Sequence, residues 1–183
     1  MKSIIRNCAF LLTILMICLN QSCKKPGWIS QTSGTKTNLL GVWFSDAETG
    51  TIVGVGGTIL HTTNGGSTWN IQQSGNGPVL WGIRFSDTRH GWIVGNGGTI
   101  LHTTDGGKTW DMQLSGTSAD LSRIFCLDAR TAWVVGDNTI LHTTNGGLTW
   151  TSQKSLVMIR LWDVFFTNPD TGIVVGGWCN FCY

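Results

Sequence analysis

Short runs of alternating apolar and polar residues, separated by glycine-rich turns, fill the chain from Trp28 to Gly177. In one clear stretch the runs are Leu80–Phe85, Gly91–Val94, Thr99–Thr103 and Thr109–Leu114. Alternation with a period of two residues is typical of β-strands, and the Asn-Gly and Asp-Gly turns between the runs supply the positive φ that tight hairpins need. The pattern therefore predicts four short strands in about 41 residues, and it shows no helical period.

The same unit recurs along the chain, and this recurrence determines the fold class. Leu60–Trp69 aligns with Leu101–Trp110 and Leu141–Trp150, so the tryptophans that end these segments lie 41 and 40 residues apart. Four strands in a repeat of this length match the size of a β-propeller blade. The sequence predicts an all-β fold: a partial β-propeller of about 3.7 four-stranded blades over residues 28–177.

Three segments share the motif S/T-x-D/N-x-G-x-T-W, the Asp-box, in register with the repeat. Its shared residues are Asn64, Gly66, Thr68 and Trp69; Asp105, Gly107, Thr109 and Trp110; and Asn145, Gly147, Thr149 and Trp150. We interpret them as structural: the Asx side chain accepts backbone N–H groups, the glycine supplies a left-handed turn, and the tryptophan fills the gap between blades.

Metal binding is the alternative interpretation of the repeated polar residues. Two of the three Asx residues are neutral asparagines, which are poor ligands for a hard cation. The histidines at equivalent positions of the repeats, His61, His102 and His142, are expected to lie too far apart to share one ion. We therefore predict no metal site and no cofactor.

The Asp-boxes, together with the Gly-Trp-Ile-Val-Gly of Gly91–Gly95 and the Gly-Thr-Ile-Leu-His-Thr of Gly98–Thr103, resemble the photosystem II stability/assembly factor family of Asp-box (BNR-type) propellers. The resemblance covers essentially all of residues 28–177. It implies a non-catalytic scaffold that holds partner proteins, and it does not by itself imply photosynthesis. A carbohydrate-binding propeller module is the alternative function.

Sialidases also carry Asp-box repeats, and the chain is more distantly similar to them. Sialidase catalysis needs a tyrosine nucleophile with a glutamate partner. The sequence has one tyrosine, the terminal Tyr183, and one glutamate, Glu48. It also contains no G-x-S-x-G, H-E-x-x-H or phosphate-binding glycine motif. We therefore predict that the protein is not an enzyme.

Recognition is expected where the repeats differ, because the scaffold does not require one particular residue there. In the first strand of each unit, the positions that correspond to Leu80 and Ile83 are apolar in every repeat. The positions on either side of Ile83 vary between repeats. Arginine and aromatic side chains are frequent anchors of protein interfaces. The candidate recognition face is Trp43, Arg84, Arg123, Phe125 and Phe165. The alternative is that these are ordinary solvated or inter-blade residues.

Charge gives no support for a nucleic-acid partner. The chain has 12 Lys and Arg against 10 Asp and Glu, and two of the basic residues lie in the first seven positions. The remainder is neutral overall, without the basic patch that nucleic-acid binding requires. The low charged fraction of 12% and the 25 glycines agree instead with short strands and tight turns.

The N-terminus has the pattern of an exported protein. Basic residues precede the apolar run Cys8–Leu19, which is too short to span a bilayer and is typical of a signal peptide. Leu19–Cys23 resembles a bacterial lipoprotein cleavage box, which implies a signal peptide over 1–22 and a lipid on Cys23 in a lipid-attached terminus, 23–27. We expect a bacterial envelope protein anchored through this lipid, facing the periplasm or on the outer membrane. Simple secretion is the alternative.

The resemblance to lipoproteins also sets the expected partners: unidentified envelope proteins, with glycans as the alternative, and the membrane through the lipid.

At the other end, residues 178–183 depart from the repeat. A shift of one base in their codons can restore a repeat-like Gly-Ala-Ile-Phe-Ala-Thr. We hypothesise that a frameshift ended a gene for a larger propeller; a natural end, with partial units pairing between chains, is the alternative. Open blade edges are expected to favour self-association.

Overall fold

The computed structural model describes residues 30–73, 75–153 and 159–177, and all of its strands lie in one compact unit that begins at Gln31. The predicted signal peptide, the lipid-attached segment with Cys23, and the tail 178–183 lie outside the described residues. Within the described ranges, no helix is both long and apolar enough to cross a bilayer.

Fourteen strands form four antiparallel sheets. The first sheet contains β1 (Leu39–Phe44), β2 (Gly50–Gly54), β3 (Ile59–Thr62) and β4 (Asn70–Gln73). The second contains β5 (Leu80–Phe85), β6 (Gly91–Gly95), β7 (Ile100–Thr103) and β8 (Asp111–Gln113). The third contains β9 (Leu121–Cys126), β10 (Ala132–Gly136), β11 (Thr139–Thr143) and β12 (Thr151–Gln153), and the fourth contains β13 (Arg160–Asn168) and β14 (Thr171–Gly177).

The predicted all-β, partial propeller architecture is confirmed. Consecutive strands of each sheet are hydrogen-bonded neighbours, so each repeat is a meander of the predicted kind. The first strands of successive sheets, β1, β5, β9 and β13, lie next to one another. The described residues form three four-stranded sheets and one two-stranded sheet, close to the predicted 3.7 blades.

Apolar side chains from neighbouring sheets form the core. Trp92 and Val94 of β6 are fully buried in a cluster with Leu121 and Ile124 of β9. Equivalent clusters join the first sheet to the second and the third to the fourth. Each fully buried side chain of this size contributes about 1.5–3 kcal/mol to folding. Packing between sheets therefore stabilises the whole unit.

The Asp-box tryptophans lie beside these clusters. Trp110 packs against the cluster between the first and second sheets, and Trp150 against the cluster between the second and third. Trp69, in the first sheet, has no preceding sheet among the described residues; its Nε1 donates to Oε1 of Gln31 at 3.3 Å.

A glutamine on the outer strand links one sheet to the next. Oε1 of Gln113 accepts hydrogen bonds from Nε1 of Trp92 and of Trp150, both at 3.2 Å. Its Nε2 donates to the carbonyl of Gly146, in the third Asp-box, at 2.8 Å. Nε2 of Gln72 donates one residue further along the second Asp-box, to the carbonyls of Gly107 at 2.8 Å and of Lys108 at 3.1 Å. One amide group thus satisfies buried donors of two sheets at once.

Each Asp-box is held by its Asx side chain. Oδ1 of Asp105 accepts from the N–H groups of Lys108 and Thr109, both at 3.0 Å, and Oδ2 accepts from Oγ1 of Thr109 at 2.7 Å. Gly107 has a φ of 85°, in the left-handed region that favours glycine. Desolvation raises the pKa of Asp105, but hydrogen bonds from Thr109, Thr103 and Lys108 outweigh it and lower the pKa to about 2.

Asn64 and Asn145 hold their turns with nearly the same bonds. Oδ1 of Asn64 accepts from the N–H of Thr68 at 3.0 Å, and its Nδ2 donates to Oγ1 of Thr68 at 2.9 Å. The corresponding bonds from Asn145 to Thr149 have the same lengths. A neutral amide therefore makes nearly the same hydrogen bonds within the turn as a carboxylate does.

Two histidines stack on tryptophans in the sheets. The ring centroids of Trp92 and His102 are 4.5 Å apart, and those of Trp133 and His142 are also 4.5 Å apart. Nε2 of both histidines is buried without a hydrogen-bond partner among the described residues. Burial lowers the pKa of His102 and of His142 below the ordinary value of 6.5. Both rings are therefore neutral in the folded protein at neutral pH.

We predict that Asp105→Ala lowers the free energy of unfolding at pH 7 by about 1–3 kcal/mol, because it removes several hydrogen bonds to the turn. Asp105→Asn should cost much less, since Asn64 and Asn145 hold the same turn. Urea unfolding followed by tryptophan fluorescence measures both.

The same two variants separate charge from hydrogen bonding. Because the folded pKa of Asp105 lies below its ordinary value of 3.8, the carboxylate stabilises the fold above pH 4 and loses this contribution as the pH falls toward 2. Asp105→Asn should not show that loss. Equal destabilisation by the asparagine and alanine variants at pH 7 would mean that the charge, and not the hydrogen-bond geometry, holds the turn.

We also predict that stability decreases as the pH falls below 6.5. A folded pKa below the unfolded value means that the unfolded state takes up protons first, so the histidine contribution is complete above pH 6.5 and is lost on acidification. His102→Phe, which keeps a ring on Trp92, should reduce the loss between pH 7 and 5. Met112→Phe, at an exposed position of β8, is the control, because it introduces a ring without removing a titrating group. Melting temperatures that do not change between pH 7 and 5 would contradict the prediction.

Candidate functional site

The first strands of the four sheets line a cavity of about 380 Å³. Along β5, Leu80, Ile83 and Phe85 are buried between sheets, whereas Trp81 and Arg84 are half-buried and face the cavity. The structure brings the whole predicted recognition face to this cavity, although its members come from four separate repeats: Trp43, Arg84, Arg123, Phe125 and Phe165. Asp163 of β13 is part of the lining as well.

Close approach of the first strands explains two glycines at the varying positions. A Cβ on Gly82 would lie 3.1 Å from the carbonyl oxygen of Ser122 and 3.3 Å from Cα of Arg123. A Cβ on Gly41 would lie 3.3 Å from the carbonyl oxygen of Trp81. The expectation that the scaffold leaves all varying positions free is thus wrong at these two glycines, where the neighbouring backbone leaves little room for a side chain.

Arg84 is held between aromatic rings. Its guanidinium carbon lies 4.5 Å from the ring centroid of Trp43 and 5.6 Å from that of Phe125. Phe125 in turn packs edge-to-face on Phe165, with centroids 5.2 Å apart. Stacking of this kind stabilises a cation by about 0.5–2 kcal/mol. Among the described residues, Arg84 forms no ion pair.

Arg123 is fixed by backbone carbonyls. Its Nη1 donates to the carbonyl oxygens of Trp81 at 3.0 Å and of Ser122 at 3.2 Å. Asp163 uses one carboxylate oxygen to accept the N–H of Val164 at 2.9 Å. Two guanidinium groups and one carboxylate therefore face the cavity among the described residues, and neither arginine is paired with an acid there.

A second cavity of about 310 Å³ adjoins the first and shares Trp81 and Arg123 with it. Arg160 lies between two tryptophans, 6.0 Å from the ring centroid of Trp81 and 5.2 Å from that of Trp162. Its Nε is 3.2 Å from a carboxylate oxygen of Asp137.

The sequence interpretation missed Trp81, Trp162 and Arg160. The signal for the two tryptophans was present: they occupy a register position where the other repeats have Leu40 and Ser122. Variation between repeats would have selected this position by the same criterion that selected Arg84. Arg160 begins the last described sheet, and its place between the two tryptophans depends on packing between sheets that sequence does not give.

The chemistry of the cavity suits binding better than catalysis. Guanidinium groups on aromatic rings are well placed to bind carboxylates through paired N–H donors, while the ring faces accept apolar groups. No cluster of three or more His, Cys, Asp or Glu residues that could hold a metal ion occurs within the described ranges.

Comparison with known proteins agrees with the geometry. A family model described as photosynthesis system II assembly factor YCF48 matches residues 76–157, which contain the second and third sheets. A solved structure of YCF48 bound to D1 peptide is similar with a TM-score of 0.60 at 27% identity, over 68% of this chain and 43% of that chain. The predicted resemblance to assembly-factor propellers is therefore confirmed.

Other solved structures share the fold. YCF48 from Cyanidioschyzon merolae has a TM-score of 0.62 at 20% identity, over 75% of this chain and 48% of that chain. An ancestral GH74 enzyme has a TM-score of 0.58 at 16% identity, over 72% of this chain and 21% of that chain. The chain thus spans less than half the length of the YCF48 structures that it matches. No curated protein matches its sequence.

Proposed function

We propose that this chain is a non-catalytic scaffold that binds proteins, and that the cavity between its first strands binds an extended acidic segment of a partner. The observation that carries the proposal is Arg84, which is stacked on Trp43 and near Phe125 and has no acidic partner among the described residues. A guanidinium group that is already desolvated on one face and held in place loses little further entropy when a carboxylate binds.

The surroundings of Arg84 define the partner's chemistry. Arg123 adds a second positive charge and Asp163 one negative charge, so the cavity keeps a net positive charge and favours one acidic side chain or a terminal carboxylate over a basic group. Phe165, more than half exposed, offers an apolar surface next to the charges. A segment that carries a carboxylate flanked by apolar or aromatic residues satisfies both features.

The solved relatives support a protein ligand. One of the similar structures is YCF48 bound to a D1 peptide, so a propeller of this architecture binds a peptide in that case. The sequence supports the absence of catalysis, since the residues that sialidase chemistry needs are missing. Both arguments favour a binding role for this chain.

The proposed cellular location is the bacterial envelope. The sequence Leu19–Cys23 and the preceding apolar run support export and attachment of a diacylglycerol to Cys23. Several acyl chains bind a membrane durably, because each buried CH₂ contributes about 0.8 kcal/mol. Partners would then be envelope proteins with exported acidic segments.

A carbohydrate ligand is the second candidate, and one observation favours it. Trp81 and Trp162 line the adjoining cavity, and exposed indole faces can stack on sugar rings. Binding of the protein to a glycan array that is lost in the Trp162→Ala variant but kept in the Arg84→Gln variant would support this candidate over the peptide.

We predict that acidic peptides bind and that neutral copies do not. The probes are twelve-residue synthetic peptides with two phenylalanines flanking two aspartates, compared with copies in which asparagine replaces aspartate. Arg84→Gln should weaken binding of the acidic peptide at least tenfold, as measured by quenching of tryptophan fluorescence. Arg130→Gln, an exposed arginine outside the cavity, is the matched control. Equal affinities of the parent chain and Arg84→Gln, or of the two peptides, would contradict the proposal.

We predict that Cys23→Ala moves the chain from the membrane fraction to the soluble fraction of the exporting bacterium, because the proposed lipid is attached to the sulfur of this residue. Incorporation of a radiolabelled fatty acid should be lost at the same time. Cys126→Ala, at a buried position, is the control. Labelling that persists in Cys23→Ala would contradict lipid attachment at this residue.

A further inference from the structure

In each sheet, the pairing of the first strand with the second contains one extra residue. On β5, Leu80 pairs with Gly95 and Gly82 pairs with Val94, so Trp81 lies outside the register. The strands β1, β9 and β13 show the same shift. A bulge of this kind turns the side chain of the extra residue to a new direction. The extra residues of the four first strands are Leu40, Trp81, Ser122 and Trp162.

The bulge brings two rows of side chains to the binding surface. Trp81 and Arg84 are three residues apart, a spacing that places side chains on opposite faces of a regular strand. Both nevertheless line the first cavity, since the extra residue reverses the alternation. At the ordinary rise of a strand they lie about 10 Å apart along β5. A ligand that follows the strands therefore meets the row of extra residues about 10 Å from the row that contains Arg84.

A small residue between two large ones opens a slot in the row of extra residues. Ser122 occupies the position that Trp81 and Trp162 occupy in the sheets on either side. All three line the second cavity, whose volume of about 310 Å³ is at the lower end of the range for ligand pockets. Because a sheet stands on each side of Ser122, this slot between the two tryptophans does not lie at an edge of the described unit.

The slot combines an unpaired hydroxyl with apolar walls. Ser122 is 6% exposed, and its Oγ has no hydrogen-bond partner in the described part of the chain, so it can donate to a carbonyl oxygen that enters the slot. Arg160 borders the slot, but Asp137 lies 3.2 Å from its Nε and balances its charge. Arg123, shared with the first cavity, already donates to two backbone carbonyls. The slot therefore favours an uncharged ring beside a peptide carbonyl over a second acidic group.

The distance between the two rows selects the conformation of the ligand. In a β-strand, side chains that point the same way lie two or four residues apart, about 7 or 13 Å. A polyproline II segment has three residues per turn and a rise of about 3.1 Å, so every third side chain returns after about 9 Å. Only the second repeat matches rows that are about 10 Å apart. Its backbone makes no internal hydrogen bonds, which leaves a carbonyl oxygen free to accept from Ser122.

We propose that the partner segment adopts the polyproline II conformation and carries a proline three residues from its acidic residue. The carboxylate binds Arg84, and the proline ring enters the slot between Trp81 and Trp162. Grooves lined by aromatic side chains are one of the recurring receptors for such segments. This inference rests on the proposed function, because the acid bound at Arg84 is its first anchor.

The test compares fluorescein-labelled synthetic peptides of twelve residues by fluorescence anisotropy with the full chain. Each peptide contains one aspartate and one proline in a background of serine and alanine, with proline two, three or four residues before or after aspartate. One of the two peptides with a spacing of three should bind at least tenfold more tightly than those with spacings of two or four. Replacement of its proline by alanine should remove this advantage, because the slot then receives no ring.

Variants of the slot check where the proline binds. Ser122→Trp fills the slot with the side chain that both neighbouring sheets carry at this position, and Trp162→Ala removes one wall. In each variant the affinities for the proline peptide and its alanine copy should differ less than twofold. Ser152→Trp, the same substitution at an exposed position of β12, is the matched control and should keep the tenfold difference. Circular dichroism checks the strand content of each variant.

The outcomes separate this inference from the proposed function. If aspartate is required but the position of proline has no effect, or if the preference for proline survives in Trp162→Ala, the inference is overturned and the acid site at Arg84 stands. Equal effects of Ser152→Trp and Ser122→Trp would also overturn it, because the slot would then not be the site. If copies with asparagine bind as tightly as the aspartate peptides, both proposals fail.

Discussion

The packing of one sheet on the next is the interaction on which this structure depends. The sheets are small, and each of them buries its large apolar side chains against a neighbouring sheet. The second strand of each sheet places two large side chains, such as Trp92 and Val94, on the first strand of the next sheet. This contact fixes the spacing between first strands, and that spacing leaves little room for a side chain at positions 41 and 82.

The candidate site is a product of the same packing. Trp43, Arg84 and Phe125 come from three different sheets, and no two of them are close in sequence. Their stacking exists only because β1, β5 and β9 lie side by side. Destabilising the contacts between sheets is therefore expected to disorder the cavity before it disrupts the hairpins of a single sheet.

Local chemistry explains why so much of the fold could be predicted from the sequence. Hairpin turns need residues with positive φ, and the glycines of the turn before β7 and of the second Asp-box supply it. The observed ends of β5 to β8 therefore lie within one or two residues of the predicted ends. Comparing repeats also selected Arg84 and Phe125, which the structure places in the lining of one cavity. The stacking of Arg84 on Trp43 could not be predicted, since it depends on distances between separate sheets. Gln31 occupies the same position of the repeat as Gln72 and Gln113, but its hydrogen bond with Trp69 depends on the folded arrangement and not on the repeat pattern.

The glutamine that bridges sheets has a consequence for how such chains change over generations. Gln113 bonds to Trp92 in its own unit and to Trp150 and Gly146 in the next one, and Gln72 bonds to the Asp-box of the unit after its own. The side-chain bonds of both junctions thus lie within two adjacent units, so recombination that adds or removes one whole unit is expected to recreate a junction of the same kind at the new boundary. The number of units can then change by duplication and loss without a compensating substitution. Natural variants of different length are expected to retain these hydrogen bonds between neighbouring units.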